Sequence, residues 1–287
     1  QNMSLNIKRI LVPTDFSEIS LNALDYAATI AAKDDAEIIL LHVYETPDQS
    51  SKIKLAIDLN EIMEKGINDK INELKVSNRS LLSARVTIKV VNGKIHSEIQ
   101  KLADDMKVDL IVMGTHGSSG ISDISKMILG SNAYRVVNSC SCPVLTIRNK
   151  NTNIRFKDII LPIDSSKESK MKLDMAISWA KAFDATIHLL AVTAFFEELY
   201  TEFKDLKKTI SAIETRLQKA GINYTLKSHR HQRISESVLE YADKMKADLV
   251  FIVTGNESAI AETIIRSAAR TIVTESKCPV MSINIGD

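Results

Sequence analysis

Apolar residues along the chain fall into two alternating rhythms. Ile7–Pro13 is a short run rich in β-branched residues, and Ser17–Ala32 carries Leu21, Leu24, Ala28 and Ala31 at the spacing of one helical face. Glu37–Val43 is too continuously apolar for a half-exposed strand, which predicts a strand covered on both faces. Leu59, Ile62, Ile67, Ile71 and Leu74 mark a second helix. Arg85–Val91 alternates as an outer strand does, and Ile95, Ile99, Leu102 and Ala103 mark a third helix. Asp109–Met113 is a second buried strand, Ala133, Val136 and Val137 belong to a helix after Gly130, and Val144–Ile147 is the last strand of the series. Strands separated by helices predict right-handed crossovers and a parallel, doubly wound α/β sheet.

The series then repeats. Ile10-Leu11-Val12-Pro13-Thr14-Asp15 returns as Ile159-Ile160-Leu161-Pro162-Ile163-Asp164, and Leu24, Ala27, Ala31 and Val43 meet Leu173, Ala176, Ala180 and Val192 at the same offset. Val108–Met113 returns as Ala247–Ile252, and Cys142-Pro143-Val144-Leu145 as Cys278-Pro279-Val280-Met281. The blocks keep their order while the offset shrinks, as in a duplicated domain with deletions in the second copy. The polar stretch Asn149–Asn153 marks the join, giving expected domains at 1–150 and 151–287.

Composition agrees with two globular units. The 287 residues are 45% hydrophobic and 25% charged, enough for two cores at roughly 150 residues per domain. Thirty-seven basic against 36 acidic residues leaves +1, without the basic excess of a nucleic-acid binder. No apolar stretch approaches the roughly 20 residues of a membrane span. No secretory signal is visible at the start. Three cysteines exclude a disulfide framework and fit a reducing cytoplasm.

In sheets of this kind ligands bind beyond the carboxyl ends of the strands. After the first strand come Pro13, Thr14 and Asp15. After Met113 comes Gly114-Thr115-His116-Gly117-Ser118-Ser119-Gly120, and the stretch runs on to Gly130-Ser131-Asn132, where a helix is expected to begin. Four of the nine glycines fall between 114 and 130. Glycines admit phosphate oxygens to backbone N–H groups, and a helix start adds unpaired donors and partial positive charge. The pattern is neither a Walker A loop nor a dinucleotide fingerprint. On the residues alone, a polyphosphate cradle and a merely shaped loop stand side by side.

Gly117-x2-Gly120-x9-Gly130-Ser131, with Ile-Leu-Val-Pro-Thr-Asp at 10–15, Leu-His-Val at 41–43, Asp-Leu-Ile-Val-Met-Gly-Thr-His-Gly at 109–117 and the closing Cys-Pro-Val-Leu, resembles the universal stress protein family across both halves. The resemblance implies two repeated Rossmann-like domains of the adenine nucleotide alpha hydrolase-like type, each a five-stranded parallel sheet flanked by helices. It implies ATP as ligand, with magnesium as an optional companion, and a cytoplasmic stress-survival role. By position, Asp15 would hold the ribose hydroxyls beside Pro13 and Thr14, and the Val43 backbone would meet adenine. Met113 and Gly114 would pack by the sugar, and Gly117, Gly120, Gly130, Ser131 and Asn132 would take the phosphates. The family's pairing habit implies an internal pseudo-dimer through the strands after Cys142-Pro143 and Cys278-Pro279, with a homodimer of whole chains as a further option.

The second half departs from the pattern. Asp164 and Val192 retain the nucleoside end, while Val253, Asn256 and Arg266 replace Gly114, Gly117 and Gly130, and only Ser267 matches Ser131. One ATP per chain, in the first half, is therefore expected, with a protein partner sensing the nucleotide. The alternative is a slow ATP-hydrolysing or adenylating enzyme of the same fold. No catalytic residue and no metal ligand is assigned. His42 reads as a satisfied structural histidine and His229-Arg230-His231 as a solvated outer face. Cys140-Ser141-Cys142 lacks both zinc and redox spacing.

Overall fold

The computed structural model describes residues 4–45, 62, 65–73, 81, 83–115, 126–164, 168–194, 200–231, 233–254 and 264–284. Residues 126–132, 168–171, 193–194, 200–203, 230–231 and 264–267 are described by backbone alone. The chain divides into two compact units, one of residues 6–154 and one of residues 155–287 together with residues 1–5.

The first unit runs β1 (Arg9–Pro13), α1 (Glu18–Asp34), β2 (Glu37–Tyr44), α2 (65–73), β3 (Arg85–Asn92), α3 (Ile95–Asp105), β4 (Leu110–Gly114), α4 (Lys126–Ser139) and β5 (Val144–Ile147). Its strands are parallel in the order β3-β2-β1-β4-β5. Ile10, Leu11 and Val12 of β1 and Ile38–Leu41 of β2 are each at 0% exposure, so both faces of these strands are covered. That is why they read as unbroken apolar runs, whereas outer β3 alternates.

Helix α1 begins where Ser17 caps it, its hydroxyl accepting the Ser20 N–H, and Glu18 meets the positive end of the helix dipole. It ends at Asp35 in left-handed conformation, whose N–H returns to the Ala31 carbonyl. Before β1, the Asp109 carboxylate accepts the N–H groups of Lys8 (2.7 Å) and Arg9 (2.9 Å), tying β1 to β4. The expected join is pinned to α1: Asn22 Nδ2 donates to the Asn151 carbonyl and Asn151 N–H to Asn22 Oδ1, both at 2.9 Å.

The second unit runs β6 (Asp158–Ile163), α5 (Glu168–Phe183), β7 (Thr186–Ala194), α6 (Tyr200–Ala220), β8 (Tyr224–His231), α7 (Ile234–Met245), β9 (Leu249–Thr254), α8 (Ile264–Glu275) and β10 (Val280–Asn284). Its order, β8-β7-β6-β9-β10, repeats that of the first, again with parallel pairing. The carboxylate device recurs as well: Asp248 accepts from Lys157 N–H (2.8 Å), Asp158 N–H (3.0 Å) and Arg155 Nε (2.9 Å). Here the core is aromatic, with Trp179 edge-on to Phe156 at 4.9 Å and Phe183 and Phe251 packed beside them.

One expected boundary is corrected. The helix placed after Gly130 begins at Lys126, so Gly130 is its fifth residue and Ser131 and Asn132 lie in its second turn. Lys-Met-Ile-Leu at 126–129 are competent helix formers, and one internal glycine costs only about 1 kcal/mol, so the helix propagates through it.

Candidate functional site

Strand order reverses direction beside β1, which lies between β2 and β4. The carboxyl ends of these three strands bring Pro13, Thr14, Asp15, Val43, Met113 and Gly114 to one edge of the sheet. Pro13 pairs with Leu41 in the ladder, and the Thr14 N–H continues it by donating to the Leu41 carbonyl at 2.8 Å. Thr14 is 7% and Met113 6% exposed, Pro13, Val43 and Gly114 are half-buried, and Asp15 is exposed.

The turn from β1 into α1 is densely bonded. Thr14 Oγ1 accepts the Phe16 N–H (3.0 Å), and Asp15 Oδ1 accepts the Ser17 N–H (3.0 Å). Ser20 Oγ donates to the Ser17 carbonyl, so the Thr14 hydroxyl is the donor in its 3.0 Å contact with Ser20 Oγ. His42 Nδ1 lies 2.8 Å from the Thr14 carbonyl, and the Phe16 and His42 rings pack with centroids 5.4 Å apart. His42 thus has a structural partner, as expected of it. Phe16, with φ of 62°, is a feature that residue type alone does not reveal.

Gly114 closes the floor. A Cβ there would stand 2.9 Å from Ile19 Cγ2 on α1, which is inside contact distance. His116, Gly117 and Gly120 lie outside the described residues, and Gly130, Ser131 and Asn132 are described by backbone only. As α4 begins at Lys126, the Gly130 N–H lies beyond the four unpaired donors of that helix end.

The corresponding edge of the second unit differs. Asp164 is 3% exposed where Asp15 is open, Val192 is 1% exposed, and Val253 stands in place of Gly114. Asn256, Arg266 and Ser267 are outside the described side chains. His229 is half-buried with Nδ1 on Ser237 Oγ, next to exposed residues 225–228, and exposed Arg233 pairs with Glu236. At the opposite strand ends, buried His188 is held between Thr225 Oγ1 (2.8 Å) and Asp158 Oδ1 (3.0 Å).

The cysteines are not poised for chemistry. Burial, the largest cause, pushes Cys140 and Cys278 up to about 11 and Cys142 up to about 12, so the thiolate is disfavoured at neutral pH. Among the described residues no group of three or more His, Cys, Asp or Glu is arranged to hold a metal ion. No described helix is long and apolar enough to cross a membrane.

The fold and the switch-point edge define a doubly wound α/β protein of Rossmann-like type, present twice. The model of the universal stress protein family matches residues 6–148 and again 155–284, so the chain belongs to the universal stress protein family. It is similar to universal stress protein MJ0577 of Methanocaldococcus jannaschii, 31% identical over 165 residues that cover 52% of this chain and all of that protein. It is also similar to universal stress protein YxiE of Bacillus subtilis, 31% identical over 150 residues that cover 49% of this chain and 98% of that protein. Each relative spans about half of this chain, as single copies of the repeat. A crystal structure of a universal stress protein from Archaeoglobus fulgidus matches the whole chain and 99% of its own, with TM-score 0.70 and 21% identity, which establishes the two-unit fold.

Proposed function

We propose that this chain binds one ATP, in the first unit, and serves as a nucleotide-dependent regulatory module in stress survival. The observation that carries the single site is the contrast between the two aspartates. Asp15 is exposed on a bonded turn at the switch point, whereas Asp164 is 3% exposed in the second unit. A ribose needs a carboxylate it can reach, and only Asp15 is presented in that way. The glycine spacing 117, 120 and 130 adds a phosphate end that the second half lacks.

In this reading Pro13 and Thr14 flank the nucleoside, the Val43 backbone meets adenine, and Met113 and Gly114 wall the sugar. Gly117, Gly120, Gly130, Ser131 and Asn132 receive the phosphates, with magnesium as companion ion. Backbone contact at Gly130 and Ser131 requires residues 126–130 to leave the helix when nucleotide binds, because α4 otherwise commits those N–H groups to its own carbonyls. Cytoplasmic location belongs to the same reading.

Isothermal titration of the full chain with ATP tests it. One ATP per chain is expected, with loss on Asp15→Ala and no change on Asp164→Ala. Two equivalent sites, or loss on Asp164→Ala alone, refutes the assignment. Chromatography of the nucleotide after incubation separates binding from turnover: recovery as ATP supports the regulatory reading, and stoichiometric conversion to ADP or AMP replaces it with the enzyme.

A further inference from the structure

Resting on the nucleotide reading above, we propose that His42 is a positioning residue of the site. Its Nδ1–H ties the end of β2 to the turn that presents Asp15, and so fixes the ribose-binding carboxylate. The turn needs such a tie. Phe16 has φ of 62°, in the left-handed region that a bulky L side chain avoids, so this geometry persists only where neighbours over-determine it. Side-chain bonds among Thr14, Asp15, Ser17 and Ser20 link the turn to the start of α1. His42 supplies a side-chain link to the neighbouring strand, 28 residues away in sequence, with its ring against the ring of the strained Phe16.

The chemistry of the contact fixes the tautomer. A carbonyl oxygen only accepts, so the proton sits on Nδ1, and in the neutral ring Nε2 carries the lone pair. Protonation at Nε2 leaves the Nδ1–H in place, so the tie holds in both charge states of the ring.

The second half lacks the device. At the repeat offset of β1 and β2, Thr14, Phe16 and His42 become Ile163, Ser165 and Ala191, while the aspartate is kept as Asp164 and Ser20 as Ser169. The ladder confirms this correspondence, because Pro13 pairs with Leu41 as Pro162 pairs with Leu190. The retained Asp164 is buried there. An aspartate after the first strand is therefore insufficient, even with the serine that follows it. The retained aspartate thus differs in exposure between the halves, and the residues that differ around it include Thr14 and His42.

The test uses the full chain and compares adenosine with 2′,3′-dideoxyadenosine, which lacks the hydroxyls assigned to Asp15. Wild type should prefer adenosine, and Asp15→Ala should abolish the preference. His42→Phe keeps a ring but loses the donor. It should weaken adenosine about tenfold, equivalent to about 1.4 kcal/mol, while leaving dideoxyadenosine affinity within about twofold of wild type. His42→Asn places an amide N–H near the position of Nδ1 and should recover most of the preference. His42→Phe combined with Asp15→Ala should lose no more than Asp15→Ala alone, since both act on one contact.

A His42→Phe chain that folds and retains full ribose preference overturns the proposal while leaving the nucleotide reading intact. Failure of the wild-type chain to bind adenosine overturns the nucleotide reading itself. Should His42→Phe not fold, the 15N spectrum of the wild-type ring decides: a proton on Nδ1 that persists on adenosine binding supports the tie, and a proton on Nε2 with a bare Nδ1 overturns it.

Discussion

Replacing Gly114 by alanine tests the packing that joins β4 to the Asp15 turn. The new Cβ would lie 2.9 Å from Ile19 Cγ2 and 3.4 Å from both the Ile19 carbonyl carbon and the Ser20 nitrogen. Carbon atoms rest at about 3.5–4.0 Å, so the methyl contact must open by roughly 0.7 Å. Ile19 cannot swing aside cheaply, because a β-branched side chain in a helix has one strongly preferred χ1. The first turn of α1 must therefore move, at the usual overpacking cost of about 1–3 kcal/mol. Ser17 and Ser20 move with it, so adenosine affinity should fall as well. Urea unfolding followed by circular dichroism measures the first effect and calorimetry the second. Ile19→Ala removes the clashing methyl; the double variant should be more stable than the sum of the single changes by at least about 1 kcal/mol. Additivity within about 0.5 kcal/mol, or a neutral Gly114→Ala, refutes the contact as the reason for glycine.

Two further perturbations follow from the carboxylates and the thiols. Asp248→Ala removes three hydrogen bonds from a side chain only 8% exposed and should cost about 3–4 kcal/mol. Trp179, the one tryptophan and a buried core residue of that unit, reports the loss by fluorescence. Asp109→Ala breaks two exposed bonds and should cost about 1–2 kcal/mol, so equal losses would contradict the burial argument. For the cysteines, folded-state values of about 11 to about 12 lie above the ordinary 9.0. Their stabilisation is thus complete below pH 9 and is lost as pH rises toward those values. Alkylation at pH 8 should run about a hundredfold slower in the native chain than in urea, and the urea midpoint should fall between pH 9 and 11. Native labelling as fast as unfolded labelling would refute the burial.

Much of the architecture is legible in the residues because it follows from local periodicity. The runs at 10–12 and 38–41 declare strands covered on both faces, the alternation at 85–91 declares an outer strand, and Ser17 followed by Glu18 marks a helix start. The start of α4 was not legible. Gly130 in a spaced motif suggests a helix boundary, but glycine is only mildly unfavourable inside a helix, and the four residues before it carry the helix onward.

The site divides in the same way. The repeat places an aspartate after the first strand of each half, and sequence alone determines that both copies have the same fold and both retain that side chain. It does not determine that Asp15 is exposed and Asp164 buried, nor that His42 reaches back across the sheet to Thr14, nor that Phe16 adopts a left-handed backbone. Periodicity reports which face of an element is covered, because that depends on neighbours three or four residues away, or two in a strand. Exposure of a single carboxylate depends on the loops that close over it. The His42 tie depends on the parallel register that sets Pro13 opposite Leu41, a relation between segments that no local pattern encodes and only the assembled sheet decides.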